Sequence, residues 1–550
     1  MLPRQARTAS SRRVLLSALV TITFCVGDVH SALGAVIDSG SNTPNPTDAG
    51  ASPSIGLSDV GRLTINGGHS VSSNVVTIGD LINGFGIATV TDFNPSTGSA
   101  SRWFMNSLFV GDAGTGRLEI LNGALVSVDY AGNPGTGDLT LGNLAGGVGT
   151  VIVDGLGTIL RVGDDTNIGV TGSGTLRIVN DGFFIATNDA AVNQDLVTVG
   201  ARGRVELDGG RLRAEALTNN GVIIGSGRID NEGIILNSIT GRIEANAGER
   251  LVVNAIVDND GDIAVRGGEI EFLNTVTTSN AAAEVTLRDG AIARFPIPEE
   301  GFGFDMTTGV LSSIGGTNDI YGTVRIQGAE SKIIVAGDST AVFHDPVTND
   351  GGVIDVLAGS TPIYHQGLTI AGSGSVVSLQ LTDPVLNPNA SYVQVSGPAQ
   401  LAGKLAINLA GAFVPSAGDA FQIVTAAGGI TGSLQLLSAP ALPGGMQWDL
   451  HVNTTSVMLS VVSTGDYNGD GTVDAADYVV WRNARGQTGR GLAADANGNG
   501  VVDAADYDFW RSRIGTVVGS GAASPAGVPE PGAARLLSLG GVLLLCRKRK

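Results

Sequence analysis

The stretch LFVGDAGTGRLEILNGALVSV, residues 108–128, decides the fold. In it Leu118 and Ile120 alternate with Arg117 and Glu119. A period of two places apolar side chains on one face of a strand and polar ones on the other. The Asn122-Gly123 pair that follows allows a turn with positive φ. The pattern G-x-L-x-I-x-x-G recurs, with variations, from Gly61, Gly116, Gly149, Gly174 and Gly203, at gaps of 55, 33, 25 and 29 residues. Each unit has one greasy face that it cannot bury alone, so neighbouring units must stack around a shared core. From about residue 218 the copies loosen into NNGVIIGSGRIDNEG and ITGRIEANAGERLVV, where strand and turn still alternate but the spacing does not hold.

The expected fold is all-β: a Gly-rich β-solenoid, a parallel β-helix, over residues 57–375. Period-two alternation does not separate parallel from antiparallel pairing, so stacked antiparallel sandwiches are the alternative. Residues 35–56, rich in Ser, Asn, Pro and Gly, suggest a flexible leader. Residues 376–463 carry longer alternating strands and suggest a β-rich cap, which the exposed edge and core of a last coil require.

Composition agrees. Gly accounts for 82 of 550 residues, hydrophobic residues for 42% and charged residues for only 15%, so the chain is neither collagen-like nor disordered. A formal charge of −19 repels phosphate backbones, which makes nucleic acid a poor partner.

Both ends of the chain read as addresses. Arg4, Arg7, Arg12 and Arg13 precede an apolar run from Val14 to Val26, and Ala32-Leu33-Gly34 supplies small residues for cleavage before Ala35. Residues 1–34 are therefore expected to be a secretory signal peptide, with Sec and twin-arginine export both open. At the other end Pro529-Glu530-Pro531, an apolar run from Leu536 to Leu545 and the basic cluster Arg547-Lys548-Arg549-Lys550 resemble the PEP-CTERM sorting signal over residues 528–550. That resemblance implies recognition by an exosortase in the inner membrane, transient C-terminal anchoring and a final place in the secreted fraction or at the cell surface. A plain C-terminal anchor is the other reading. Residues 517–527 serve as linker. The two cysteines, Cys25 and Cys546, both lie in these terminal segments, so the expected mature chain has no disulfide framework. The repeats at 108–128 and 167–182 resemble those of autotransporter passenger domains and PEP-CTERM proteins, which implies the same solenoid.

No catalytic cluster stands out in the repeat region. The carboxylate pairs Asp164-Asp165 and Glu299-Glu300 fall at expected turns. Gly111–Gly116 lacks the Lys-Ser/Thr ending and the following helix of a phosphate loop.

The strongest chemical signal is DYNGDGTVDAAD, residues 466–477. Asp466, Asn468, Asp470, Asp474 and Asp477 supply side-chain oxygens at positions 1, 3, 5, 9 and 12 of a calcium loop, Gly471 stands at the sharp turn, and Thr472 offers a carbonyl. The pattern returns 29 residues later with Asp495, Asn497, Asn499, Val501, Asp503 and Asp506 around Gly500. The segments after the loops also repeat, aligning Tyr478 with Tyr507, Trp481 with Trp510 and Arg482 with Arg511. A calcium ion prefers several hard oxygen ligands, so two Ca2+ sites are expected, the second weaker by one carboxylate because Asn499 replaces Asp470. Asp rather than Glu at position 12, and a loop followed by one helix, resemble a type I dockerin over 466–515, within a module spanning 464–516. This resemblance implies two calcium ions and noncovalent attachment to a cohesin-like protein, with Ala475, Ala476, Arg482, Ala504, Ala505 and Arg511 as the partner-binding residues. The Ala pairs stand where cellulosomal examples carry Ser-Thr, which argues against a cellulosomal partner.

Together these readings describe a secreted, non-enzymatic surface or matrix protein with a solenoid stalk and a calcium-dependent attachment module. The alternative is a polysaccharide-binding or polysaccharide-degrading β-helix protein recruited through the module, with extracellular polysaccharide as a further partner.

Overall fold

The computed structural model describes residues 36–43, 51–94, 98–129, 137–187, 196–382 and 391–518. The expected signal peptide and the Pro529-Glu530-Pro531 tail lie outside these residues. Strand makes up 55% and helix 5% of the described residues, so the class is all-β.

Three parallel ladders build the body. In one coil Thr115–Leu121, Leu125–Val128 and Leu139–Leu141 follow one another along the chain. They pair in parallel with Val148–Asp154, Ile159–Val162 and Thr166–Ile168 of the next coil. Each of these strands thus finds its partner one coil away, which is a solenoid and not a stack of antiparallel sandwiches. Inward positions form columns: Leu63, Ala88, Leu118, Val151, Leu176 and Val205 sit in register at successive levels and are at most 1% exposed. Burying such an aliphatic side chain contributes about 1.5–3 kcal/mol. The gain repeats along the axis at each level.

The glycines that open these strands have a steric cause. Gly61, Gly86, Gly116, Gly149, Gly174 and Gly203 form one column. A Cβ on Gly116 would lie 2.0 Å from the carbonyl oxygen of Ile78, and one on Gly149 would lie 1.9 Å from that of Val110. The corner of the preceding coil occupies the space that a side chain would need. Gly86 belongs to a coil that the motif skips, because Ala88 stands where other copies carry Leu or Val. The 55-residue gap is therefore two coils.

Register also survives the apparent loosening beyond residue 218. Ile223, Ile243 and Ile263 pair at intervals of 20 residues, each preceded two positions earlier by Gly221, Gly241 or Gly261. The motif fades there because the coils shorten. A buried amide ladder accompanies the short coils: Asn219 Nδ2 donates to Asn237 Oδ1 at 2.7 Å, and Asn237 Nδ2 to Asn259 Oδ1 at 2.6 Å. Buried polar side chains survive only when satisfied in this way.

Both ends depart from expectation. In the segment read as a flexible leader, Val36–Gly40 pairs antiparallel with Val60–Ile65, and Asn42–Thr43 with Ser54–Ile55, so it covers the otherwise open edge of the first coil. In the segment read as a cap from 376, parallel stacking continues from Val376–Leu381 through Lys404–Leu409 to Gln435–Ser438. The antiparallel closure is a hairpin, Met446–Val452 with Ser456–Ser463, whose second strand lies against Ala420–Ala426. No helix among the described residues is long and apolar enough to cross a membrane.

Candidate metal centre

The sequence after the hairpin folds as two loops, each leading into a short helix: α1 (Ala475–Ala484) and α2 (Ala504–Arg513). The loop carboxylates start the helices. Asp474 Oδ1 accepts from Ala476 N at 2.7 Å while Asp477 Oδ2 accepts from Asp474 N at 2.8 Å. Asp503 and Asp506 repeat this reciprocal cap, at 2.8 Å from Ala505 N and 2.7 Å from Asp503 N. Gly471 and Gly500 adopt φ of +92° and +79° at the sharp turn of each loop. That geometry points their N–H groups at Asp466 Oδ2 and Asp495 Oδ2, both at 2.8 Å.

Of the expected ligands, Asp466, Asp477, Asp495 and Asp506 are buried, at 5%, 0%, 2% and 0% exposure. Asn468, Asp470, Thr472 and Asp474 are exposed, as are Asn497, Asn499 and Val501, with Asp503 half-buried. None of the four buried carboxylates meets Lys or Arg in an ion pair among the described residues. Uncompensated buried charge is costly. Burial, and then Asp506, push the Asp495 carboxyl above the usual carboxylate range. Burial, and then Asp506, Asp477 and Asp495, raise the Tyr467 phenol as well. Asp495 Oδ1 is buried with no hydrogen-bond partner. Among the described residues no three carboxylates, imidazoles or thiols converge as a metal cluster. The donor set is instead carboxylate, amide and main-chain oxygen. Concentrated negative charge, an orphaned carboxylate oxygen and hard oxygen donors fit calcium.

The two halves are related by an approximate twofold. Trp481 Nε1 donates to Asp503 O at 2.8 Å, and Trp510 Nε1 to Asp474 O at 3.0 Å, so each helix ties down the start of the other. Val473 N donates to Thr516 O at 2.9 Å and Val502 N to Gln487 O at 3.0 Å, the same bond in each half. Tyr478, Trp481, Tyr507 and Trp510 pack together between the helices, with the rings of Trp481 and Tyr507 5.0 Å apart.

Residues 464–514 match the family model for the dockerin type I domain, and this segment of the chain is such a domain. Type I dockerin domains typically bind calcium. No curated protein matches the chain.

The domain is seated on the end of the solenoid. Arg490 Nη2 reaches Asp419 Oδ2 at 2.5 Å, and Asp419 also accepts from Ser416 N at 2.8 Å. Gly491 N donates to Ser416 Oγ at 2.8 Å. Gly498, in the second of the two loops, lies so close that a Cβ would sit 1.7 Å from Ala417 O. The sequence offers no signal for this seat, since Asp419 and Arg490 are 71 residues apart. The residues expected to face a partner, Ala475, Ala476, Arg482, Ala504, Ala505 and Arg511, are all exposed.

On the solenoid, Arg294, Tyr321, His344 and His365 form an outward column that the sequence did not disclose. Tyr321 stacks on His344 at 4.0 Å, Arg294 covers Tyr321 at 4.1 Å, and His344 Nε2 meets Asp319 Oδ1 at 2.7 Å. Both faces of the tyrosine are occupied. Asp164 lies beside Asp138, and burial together with neighbouring carboxylates raises both groups. Neither set presents an acid–base pair flanking an open aromatic platform.

Proposed function

We propose that the protein is a secreted, non-enzymatic surface or matrix component. Its solenoid is a stalk, and its dockerin domain attaches it, in a calcium-dependent manner, to a cohesin-like protein. The observation that carries this reading is the orientation of the dockerin: it is fixed to the last coils through Asp419, Ser416 and Ala417 while the starts of α1 and α2 remain exposed. Each calcium loop ends in its helix cap, so an ion in the loop would fix the helix that carries Ala475-Ala476 or Ala504-Ala505. The exported address, processing by an exosortase near Pro529-Glu530-Pro531 and the final surface location rest on the sequence motifs. Against a degradative role, the column of Tyr321, His344 and His365 has its tyrosine ring covered on both sides.

The test is binding of the full chain to a panel of purified bacterial cohesin domains, with calcium and with chelator. Calcium-dependent capture, lost when Ala476→Arg and Ala505→Arg are combined, is expected. Capture that survives chelation, or none with any cohesin, contradicts the attachment role. Release of oligosaccharides from neutral or acidic polysaccharides contradicts the non-enzymatic role.

A further inference from the structure

Residues 487–491, between the two helices, touch both the second loop of the dockerin domain and the end of the solenoid. Thr488 forms an antiparallel bridge with Val501, in which Gly489 N donates to Gly500 O at 2.9 Å and Val502 N to Gln487 O at 3.0 Å. Val501 is the residue expected to offer its carbonyl to a cation in that loop. The next two residues grip the solenoid: Arg490 Nη2 meets Asp419 Oδ2 at 2.5 Å, and Gly491 N donates to Ser416 Oγ at 2.8 Å. No residue intervenes between the bridge and the seat. The loop also meets the seat directly. Gly498 stands between the expected ligands Asn497 and Asn499, and its main chain lies against Ala417 O.

The first loop makes the same bridge to a different segment. Thr472 pairs with Val517, with Val473 N donating to Thr516 O and Val518 N to Gly471 O, both at 2.9 Å. That strand follows α2 and leads away from the seat. Gly469, the counterpart of Gly498, would meet Gly444 only at an ordinary 3.7 Å through an added Cβ. Two loops of like chemistry thus hold two different things in place. Asp495 Oδ1, buried without a hydrogen-bond partner, makes the second loop dependent on a cation for its order. Whatever orders Gly500–Val502 orders 487–489 with it, and linkage requires the reverse effect of equal size.

We infer that filling of the second loop and seating of the dockerin domain on the solenoid are one coupled equilibrium, carried by residues 487–491. The inference rests on the calcium reading of this domain and needs no cohesin. It makes calcium set the rigidity with which the attachment module is mounted on its stalk.

The test is hydrogen–deuterium exchange by mass spectrometry along a calcium titration of the full chain, with peptides covering 466–477, 487–491 and 495–506 followed separately. Protection of 487–491 should appear at the same calcium midpoint as that of the second loop. Ser416→Ala, a solenoid residue outside both loops, should raise the second-loop midpoint about three- to tenfold, the equivalent of one hydrogen bond, and Arg490→Gln at least as much. The first-loop midpoint should move less than twofold in both variants, with the far-UV β signal matching the parent. Asn497→Ala should delay protection of 487–491, and its counterpart Asn468→Ala should delay it less. Two loops that bind calcium with midpoints unmoved by Ser416→Ala and Arg490→Gln overturn the coupling alone. So does protection of 487–491 that follows the first loop. Absence of calcium-dependent protection in either loop overturns both the coupling and the calcium reading on which it rests.

Discussion

Gly469 and Gly498 occupy the same position in the two loops of the dockerin domain, with φ of +75° and +69°, and differ in what surrounds them. A Cβ on Gly469 would make ordinary contact with Gly444 at 3.7 Å, whereas one on Gly498 would lie 1.7 Å from the main-chain oxygen of Ala417. Alanine at either site pays about 1–2 kcal/mol for the left-handed backbone. Gly498→Ala must also lift the domain off the solenoid. That motion breaks the Arg490–Asp419 pair, whose acid is only 9% exposed, and the bond from Gly491 to Ser416. A charged hydrogen bond of this kind contributes about 1.5–3 kcal/mol and a neutral one about 1 kcal/mol. Gly498→Ala should therefore lose about 2–4 kcal/mol more than Gly469→Ala. Urea unfolding in saturating calcium, followed by near-UV circular dichroism, measures the difference, and calcium titration of both variants confirms that the loops still fill. Equal losses would show that the domain is not seated on the solenoid in solution.

Other outcomes follow from the same geometry. Asp470→Ala should weaken calcium binding more than Asn499→Ala, because it removes a formal charge together with a ligand; isothermal titration compares them. Leu118→Ala, at a fully buried column position, should destabilise the solenoid by about 2–5 kcal/mol in chemical denaturation while leaving calcium affinity unchanged. Asp230 is held below the usual carboxylate range: burial opposes this, but the Asn254 amide and the Arg211 and Arg228 guanidinium groups outweigh it. Its stabilising contribution is present above the unfolded value of about 3.9 and is lost as pH falls through the lower folded value. Asp230→Asn should accordingly destabilise at pH 7 and match the parent in acid, as read by thermal melts across pH.

The alternation of Leu118 and Ile120 with charged residues was enough to read stacked strands, because a one-sided strand has no other stable solution. Coil length was harder to read. Ala88 hides the Gly86 coil from a motif built on Leu, and the 20-residue coils at Ile223, Ile243 and Ile263 break the spacing without breaking the register. The end segments misled for a related reason: Val36–Gly40 looks like loop composition, yet an open solenoid edge orders it. The dockerin module was legible from the repeated twelve-residue loops at Asp466–Asp477 and Asp495–Asp506, since calcium chemistry fixes residue type and spacing within such a loop. What lay beyond local sequence was contact between distant segments, such as Arg490 with Asp419 and the crossed bonds of Trp481 and Trp510.

The central claim is that residues 464–518 form a calcium-organised domain on the end of a solenoid that needs no metal. The most direct measurement is calorimetric titration of the chelator-treated full chain with calcium, with near-UV circular dichroism recorded at each point. Two ions should bind per chain, the aromatic signal of Trp481 and Trp510 should appear as they do, and the far-UV β signal should hold constant throughout. Absence of calcium binding, or loss of the β signal on chelation, would contradict the account.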